Sequence, residues 1–229
     1  MDSSMKPYYR DERAGIVIYN GDCREMLPGL SAASVDLVLT DPPYGINLRT
    51  EWAGSGNKHG FGSRHEKIVG DDAPFDPSHL LRFQRLILWG GNCYANRLPA
   101  SPVWLAWDKV TKNGLKVRIA EMELAWTNLA GKPRVFRHLW SGNYRASEQG
   151  TAYHPAQKPV ALMSWCICVA KLERTTPTIL DPYCGSGSVL CAAKDAGCRA
   201  IGIEINERYC EIAARRLEQG VLFGVGAGE

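Results

Sequence analysis

The chain has 229 residues and a mass of 25.3 kDa, which suits one globular domain with a sizeable core. Apolar residues make up 45% of it and charged residues 22%, and no apolar run approaches the roughly 18 residues of a membrane span. A net charge of +3 is too small to indicate a polyanionic partner. Because the amino terminus has no apolar segment typical of a signal peptide, we expect a cytoplasmic protein.

The eight cysteines also limit the classes of function. None stands in a Cys-x-x-Cys pair, so the paired ligands at short spacing that zinc sites use are absent. In a reducing compartment such cysteines are most often small buried apolar residues. We therefore expect free thiols in the core and no metal.

The first predicted elements are two strands that end in acidic residues. Residues 16–19 predict a strand ending in a turn at Asp22, and a short helix is expected over residues 24–30. The mainly apolar run 35–39 predicts a buried parallel strand that leads into Asp41-Pro-Pro-Tyr44. The prolines end the strand because neither has an N–H to donate. A carboxylate, an exposed carbonyl and an aromatic ring thus follow a strand's carboxyl end, where ligands bind in open α/β sheets.

The long segment 45–77 has many glycines and no apolar periodicity. A loop of this length in a compact domain is usually functional, and its position directly after the proline turn favours that interpretation over a plain solvated insertion. A helix is then expected over residues 77–85 with Ser78 as its N-cap.

Three further strands are predicted at residues 86–89, 103–108 and 121–127, the last with one solvated face. Residues 131–153 are irregular and basic, with arginines between aromatic residues. That pattern suits phosphate contacts combined with base stacking, and a solvated β-hairpin is the alternative.

A glycine-rich unit follows a helix expected over residues 160–172. Residues 178–181 predict a strand, Cys184-Gly-Ser-Gly187 a tight turn, and residues 188–196 a helix. Glycine is needed where a side chain would block a cofactor's approach to the backbone. The third glycine of the dinucleotide motif G-x-G-x-x-G is missing, which argues against NAD. The next strand ends at Glu204, whose carboxylate can accept both hydroxyls of a ribose, and Asn206 starts a last helix over residues 207–217.

Together, Asp41-Pro-Pro-Tyr44 and the later glycine-rich unit resemble the amino-group DNA methyltransferases, which use S-adenosylmethionine. The resemblance covers residues 16–217, and the order of the two motifs is that of the circularly permuted β group. It implies a Rossmann-like α/β methyltransferase fold: one catalytic domain over residues 1–229, with a mixed seven-stranded sheet and helices on both faces. Within it, residues 45–77 would be a target-base loop and residues 131–153 a short target-recognition insertion.

The resemblance also implies three sets of site residues. Catalysis is expected from Asp41, Pro42, Pro43 and Tyr44. The cofactor is expected at Asp22, Cys23, Asp41, Lys158, Asp181, Tyr183, Cys184, Gly185, Ser186, Gly187, Ser188, Glu204 and Ile205. DNA is expected at Arg49, Lys58, Arg64, Lys67, Arg134, Arg137 and Arg145. In the family, an acidic residue at the place of Asp22 binds the cofactor's adenine amino group, and Lys158 would lie near its carboxylate.

The implied reaction is methylation of the N6 amine of a flipped adenine in double-stranded DNA. An acidic residue at position 41 points to adenine, because the cytosine-N4 members usually carry serine there. Cytosine-N4, RNA, a protein glutamine and an inactive nucleic-acid-binding module stay open as alternatives. The cytosine-C5 methyltransferases carry a nucleophilic cysteine in a Pro-Cys dipeptide. No such dipeptide occurs here, so cytosine-C5 chemistry is disfavoured. A homodimer and a phage, mobile-element or restriction–modification setting rest on the resemblance alone.

Overall fold

The computed structural model describes residues 6–48, 67–110, 120–141, 144–148 and 157–219. The strands are β1 (Tyr9–Asp11), β2 (Ile16–Asn20), β3 (Leu37–Thr40), β4 (Leu86–Trp89), β5 (Trp104–Asp108), β6 (Met122–Thr127), β7 (Arg134–Arg137), β8 (Trp140–Ser141), β9 (Tyr144–Arg145), β10 (Thr178–Asp181) and β11 (Arg199–Glu204). The α-helices are α1 (Cys23–Met26), α2 (Val160–Ala170), α3 (Ser188–Asp195) and α4 (Glu207–Glu218), and short 3₁₀ helices lie at Leu27–Gly29, Ala32–Ser34 and Gly91–Arg97.

The main sheet has the order β1-β2-β11-β10-β3-β4-β6-β5-β7. The five strands from β2 to β4 are parallel, and β6 is antiparallel to both of its neighbours. The predicted mixed sheet is therefore confirmed, with seven strands from β2 to β5. Its strand count needs correction, because β1 and β7 add an edge strand on each side and make nine within the described residues.

Apolar side chains cover both faces of this sheet, which explains why β3 and β4 are continuous apolar runs. On one face Leu37 and Trp89 pack in a core with residues of α2, α3 and α4. On the other face Val38 and Leu88 pack with α1 and the segment that precedes β4. Of the eight cysteines, Cys93 and Cys168 are exposed and the rest are buried. In the described part of the chain, no helix has the length and apolar character needed to cross a membrane.

The predicted helix over residues 77–85 is wrong. The chain makes two successive turns there, in which Leu80 donates its N–H to the Pro77 carbonyl at 2.8 Å and Phe83 donates to the Leu80 carbonyl at 3.1 Å. Ser78 is not a cap, since its N–H donates to Asp76 Oδ1 at 3.0 Å. A three-residue spacing of buried apolar side chains suits these turns as well as a helix, and burial of Leu80 and Phe83 against the sheet decides between them.

The prediction of an irregular segment over residues 131–153 is wrong for part of its length. Strand β7 pairs in parallel with β5, and β8 pairs with β9 as a small antiparallel ladder. This ladder belongs to the hairpin considered as the alternative, and residues 142–143 and 149–153 lie outside the described ranges.

Candidate active site

Four acidic residues follow the carboxyl ends of neighbouring strands. The ends of β2 and β11 are paired through Asn20 and Glu204, and Asp22 comes two residues after β2. Asp181 ends β10 and accepts a hydrogen bond from Thr40, the last residue of β3, at 2.7 Å. Asp41 follows Thr40 directly. The rule that parallel strands end at one edge therefore places all four predicted carboxylates together.

Both oxygens of the Asp41 carboxylate have partners. Tyr44 donates its hydroxyl to Oδ1 at 2.5 Å, and Lys158 Nζ lies 2.5 Å from Oδ2. The ring of Tyr44 packs against Gly90, where a Cβ atom would overlap it. Gly90 has φ +69°, a conformation that glycine adopts readily. The backbone at Gly90 thus makes room for the tyrosine that completes the turn.

Lys158 joins Asp41 to a second carboxylate. Its side chain is 6% exposed, and its Nζ also lies 3.1 Å from Glu123 Oε2. Lys109 Nζ in turn lies 2.6 Å from Glu123 Oε1. Two buried ammoniums thus balance two carboxylates, which offsets the free energy of removing these charges from water. We call Asp41, Glu123, Lys109 and Lys158 the charge cluster.

Burial and charge shift the pKa values in this cluster in opposite directions. Burial raises the pKa of Asp41, and the adjacent Lys158 opposes that shift only in part. Burial would also raise the pKa of Glu123, but Lys158 and Lys109 lower it to about 2. Burial would lower the pKa of Lys158, yet Asp41 and Glu123 raise it. Glu123 and Lys158 are therefore charged at neutral pH.

Two residues of the cluster, Glu123 and Lys109, were not predicted from the sequence. Glu123 belongs to β6, on the face predicted to be solvated, and Lys109 follows β5 directly. Lys109 donates its backbone N–H to the Glu121 carbonyl at 3.0 Å, so the antiparallel β5–β6 pairing brings the two side chains together. Opposite charges on predicted neighbouring strands were the available signal, but the register that aligns them could not be derived from the sequence.

The glycine-rich turn between β10 and α3 is held by Glu204. Its Oε2 accepts the N–H of Gly185 at 2.8 Å and its Oε1 accepts the N–H of Asn206 at 2.8 Å. At Gly187, φ is +81° and a Cβ atom would lie 2.8 Å from the Cβ of Ala213 on α4. This glycine is therefore required for close packing of the turn on α4.

Asp181 is buried at the start of the same turn. Its Oδ1 accepts hydrogen bonds from Thr40 Oγ1 at 2.7 Å and from the N–H of Tyr183 at 3.2 Å. Burial raises its pKa to about 7 in spite of these bonds. Asp181 can therefore gain or lose a proton near neutral pH.

The remaining predicted cofactor residues surround these carboxylates. Ser188 donates its hydroxyl to the Lys158 carbonyl at 2.7 Å, and the Ser186 carbonyl accepts a bond from Arg216 at 2.6 Å. Cys23 and Cys184 are buried, and Ile205 is exposed. Burial raises the pKa of the Cys23 thiol to about 11, so it is not a nucleophile at neutral pH.

A cleft of about 510 Å³ adjoins this part of the sheet edge and is lined by Arg24, Phe75 and His79 among others. His79 Nε2 lies 2.9 Å from the hydroxyl of Tyr183, and Asp22 caps α1 by accepting the N–H of Arg24 at 2.8 Å. Volumes of this size suit small-molecule ligands. Two predicted cofactor residues, Asp22 and Tyr183, thus contact residues that line this cleft.

Only some of the predicted DNA contacts lie in the described residues. Lys67, Arg134 and Arg137 are exposed, and Arg137 Nε lies 3.7 Å from Asp108 Oδ2. Arg145 stacks on the ring of Trp140 at 4.3 Å. Arg49, Lys58 and Arg64 lie outside the described residues.

Asp71 is another residue that was missed. It is 4% exposed and accepts the backbone N–H groups of Gly45 at 2.9 Å and Leu48 at 2.6 Å. The chain that leaves Tyr44 is thereby tied to the segment before β4.

Comparison with known proteins decides the family. A family model described as DNA methylase, for enzymes that act on N6 and N4 amino groups, matches residues 95–215. The chain belongs to the N6/N4 DNA methylase family. This methylase is 26% identical to the type II methyltransferase M2.LlaDCHI of Lactococcus lactis subsp. cremoris, over 96% of this chain and 95% of that protein.

Solved structures confirm the fold of this methylase. The complex of M1.HpyAVI with S-adenosylmethionine has a TM-score of 0.52 at 20% identity and covers 88% of this chain and 99% of that one. The cytosine-N4-specific PvuII DNA methyltransferase has a TM-score of 0.63 at 15% identity, covering 93% of this chain and 89% of that one. The Rossmann-like methyltransferase fold expected from the sequence is therefore confirmed.

Proposed function

We propose that this DNA methylase transfers a methyl group from S-adenosylmethionine to the N6 amine of adenine in double-stranded DNA. One observation carries the proposal: a buried carboxylate, Asp41, stands at the carboxyl end of β3 and is held by Tyr44 and Lys158. Family membership supports the transfer to an amino group. Adenine is the proposed base because adenine enzymes of this family carry an acidic residue at the place of Asp41.

The acidic sheet edge fits S-adenosylmethionine. This cofactor carries an amine, hydroxyls and a cationic sulfonium, so it offers donors and positive charge to carboxylates, whereas a pyrophosphate would be repelled. Asp22, Asp181 and Glu204 are proposed to hold it, with the turn at Gly185–Gly187 beside it. When bound, S-adenosylmethionine supplies an electrophilic methyl group on its sulfonium sulfur. The complex of M1.HpyAVI with the same cofactor supports this choice.

The catalytic turn is proposed to act on the geometry of the amine. The nitrogen lone pair of adenine N6 is delocalised into the ring, which makes the amine a poor nucleophile. Asp41 and the carbonyl of Pro42 would each accept one N–H hydrogen bond and draw the nitrogen toward tetrahedral geometry. Although Asp41 already has partners, each carboxylate oxygen can accept a further bond. The displaced N–H proton then leaves to Asp41 or to water, and no covalent enzyme intermediate is needed.

Access to the amine requires that the base leave the duplex. Tyr44 is proposed to stack on the flipped base, with Pro43 stiffening the turn. Residues 45–77 and 131–153 are proposed to contact the target base and the flanking DNA, with Arg134 and Arg137 exposed for phosphates. We propose a single catalytic domain, and the similarity to a type II methyltransferase supports a restriction–modification setting.

The test is mass spectrometry of nucleosides from unmethylated DNA incubated with the purified protein and S-adenosylmethionine. N6-methyladenine is the expected product, and sequencing of the modified positions would give the recognition site. N4-methylcytosine would keep the mechanism and overturn the choice of base. Absence of any methylated base, with cofactor binding intact, would overturn the proposed DNA reaction.

A further inference from the structure

The charge cluster contains groups that the proposed chemistry does not use. Asp41 is assigned to the amine, but Glu123 and Lys109 have no role in that mechanism. Glu123 reaches Lys158 from β6. In the strand order, β6 lies on one side of β3, and the strands β10 and β11, which carry Asp181 and Glu204, lie on the other. A second carboxylate 3.1 Å from the ammonium that holds Asp41 adds a buried charge, which is costly unless it is paired, and Lys109 and Lys158 supply that pairing.

We propose that Lys158 and Glu123 are positioning residues for Asp41. Lys158 keeps the Asp41 carboxylate charged and oriented, and Glu123 weakens the attraction between Lys158 and Asp41 by sharing the same ammonium. The inference rests on the proposed function, since it assigns Asp41 as the group that accepts the amine N–H. Neither Lys158 nor Glu123 is required to touch the substrate.

The position of Lys158 is fixed at both ends of the residue. Its carbonyl accepts the hydroxyl of Ser188, the first residue of α3, at 2.7 Å. Its ammonium lies on Oδ2 of Asp41, so the other oxygen, Oδ1, is left with Tyr44. Lys158 thus connects the start of α3 to the catalytic turn, where Lys158 and Tyr44 each hold one oxygen of the Asp41 carboxylate.

Glu123 competes with Asp41 for the same ammonium. Lys109 anchors Glu123 through Oε1, which leaves Oε2 to face Lys158 and, at 3.4 Å, the hydroxyl of Tyr44. A carboxylate that has an ammonium to itself is a weaker hydrogen-bond acceptor toward a substrate than a carboxylate that shares the ammonium with a second carboxylate. Sharing therefore leaves Asp41 charged but still able to accept the amine N–H.

The charges that face Asp41 determine how it should titrate. Tyr44 lies on its own turn, Tyr94 on the 3₁₀ helix Gly91–Arg97, Glu123 on β6, Lys158 before α2 and Asp181 on β10. Lys158 contacts Asp41 and lowers its pKa, whereas the charge of Glu123 raises it. Removing the charge of Lys158 should therefore raise the pKa of Asp41, and removing the charge of Glu123 should lower it.

The experiment measures kcat/KM for DNA against pH, and the titration of Asp41 by carboxyl-carbon NMR in the cofactor-free protein. Lys158→Met should move the Asp41 midpoint and the acidic limb of the profile upward by about 1–3 pH units, and Glu123→Gln should move both downward by about one. Lys158→Arg, which keeps the charge, should leave them near the wild-type position.

Asp11→Asn is the matched control, because Asp11 pairs with Lys194 at 2.9 Å on the edge strand β1 and has no contact with the cluster. Its profile should match the wild type. If E123Q does not fold, the double variant K109M/E123Q removes both charges of that pair and should still lower the midpoint.

The two proposals fail in different ways. Wild-type protein that methylates no base would overturn the proposed function, while the NMR titration would still test the cluster. An active wild type whose K158M and E123Q variants leave the Asp41 midpoint unchanged, or shift it in the same direction, would overturn the positioning role.

Discussion

Arg216 and Glu148 form a buried ion pair that joins four separate parts of the chain. Their side chains are 9% and 11% exposed, and Arg216 Nη2 lies 2.7 Å from Glu148 Oε1. Arg216 Nη1 also donates to the Ser186 carbonyl at 2.6 Å, while Glu148 Oε2 accepts the N–H of Val160 at 2.8 Å. One pair therefore connects α4, the glycine-rich turn, the start of α2 and the end of the segment that follows β9.

Removal of one partner of this pair should be costly. Arg216→Met leaves the Glu148 carboxylate buried without its cation, and we expect the free energy of unfolding to fall by about 3–5 kcal/mol. Weaker binding of S-adenosylmethionine should accompany this loss, because the Ser186 carbonyl loses its donor. Urea denaturation and calorimetric titration measure the two effects.

Arg215→Met provides the control on the same helix. Arg215 forms an exposed pair with Glu211, so its loss should cost about 0.5 kcal/mol or less. The double variant R216M/E148Q should lose less than the sum of its single variants. Equal losses for R215M and R216M would contradict the structural role of the buried pair.

Asp41→Ala should lower turnover by at least about 10²-fold while cofactor binding persists. The substitution removes the carboxylate that is proposed to accept the amine N–H, and loss of one such preorganised group typically costs about 10²–10³ in kcat. Single-turnover methylation of DNA and calorimetric titration with S-adenosylmethionine separate the two quantities.

Asp36→Asn is a matched control for this prediction, because Asp36 lies at the other end of the same strand, where its Oδ2 accepts the N–H of Thr178 at 2.8 Å. Its turnover should equal that of the wild type. Retained turnover in D41A would remove Asp41 from the mechanism.

Much of the site could be predicted because it depends on local patterns and one general rule. Apolar runs identified β3 and β10, and parallel strands that end at one edge bring Asp41 and Asp181 together. The glycines at 185 and 187 were recognisable from spacing in the sequence. Local sequence is sufficient where a residue's place depends on its own strand.

Residues whose place depends on register could not be predicted in this way. Glu123 meets Lys158 only because β6 runs antiparallel between β4 and β5, with Glu123 opposite Trp107. Asp71 holds the backbone after Tyr44 across a long loop, and no local signal marks such a contact. For the same reason the turns at residues 77–85 were mistaken for a helix, because burial against the sheet decided the conformation.

Gly90→Ala should displace Tyr44 from the catalytic turn. An added Cβ atom would overlap the tyrosine ring, and φ of +69° is also unfavourable for alanine. We expect a loss of stability of more than about 1 kcal/mol and a lower kcat for DNA. Gly197→Ala separates the two causes, since Gly197 has φ +67° and no atom within 4 Å of the added Cβ. A kcat of G90A equal to that of G197A would show that the ring of Tyr44 does not depend on Gly90.

Asp181 should make stability depend on pH near neutrality. Burial raises its pKa to about 7, above the value of about 3.9 for an exposed aspartate. The folded state therefore keeps a proton that the unfolded state has lost between these values. The stability from this proton is complete below about pH 4 and is lost as the pH rises through about 7. Asp181→Asn removes this dependence, so the stability of the variant relative to the wild type should increase from about pH 5 to pH 8, by up to about 1.4 kcal/mol per pH unit. Urea denaturation of the cofactor-free proteins measures this difference in stability.

For Asp11→Asn the difference should be constant over that range, because a hydrogen bond from Lys194 lowers the pKa of Asp11 and its stabilisation is lost only at acidic pH. A constant difference for D181N as well would mean that Asp181 is already charged in the folded protein at pH 5.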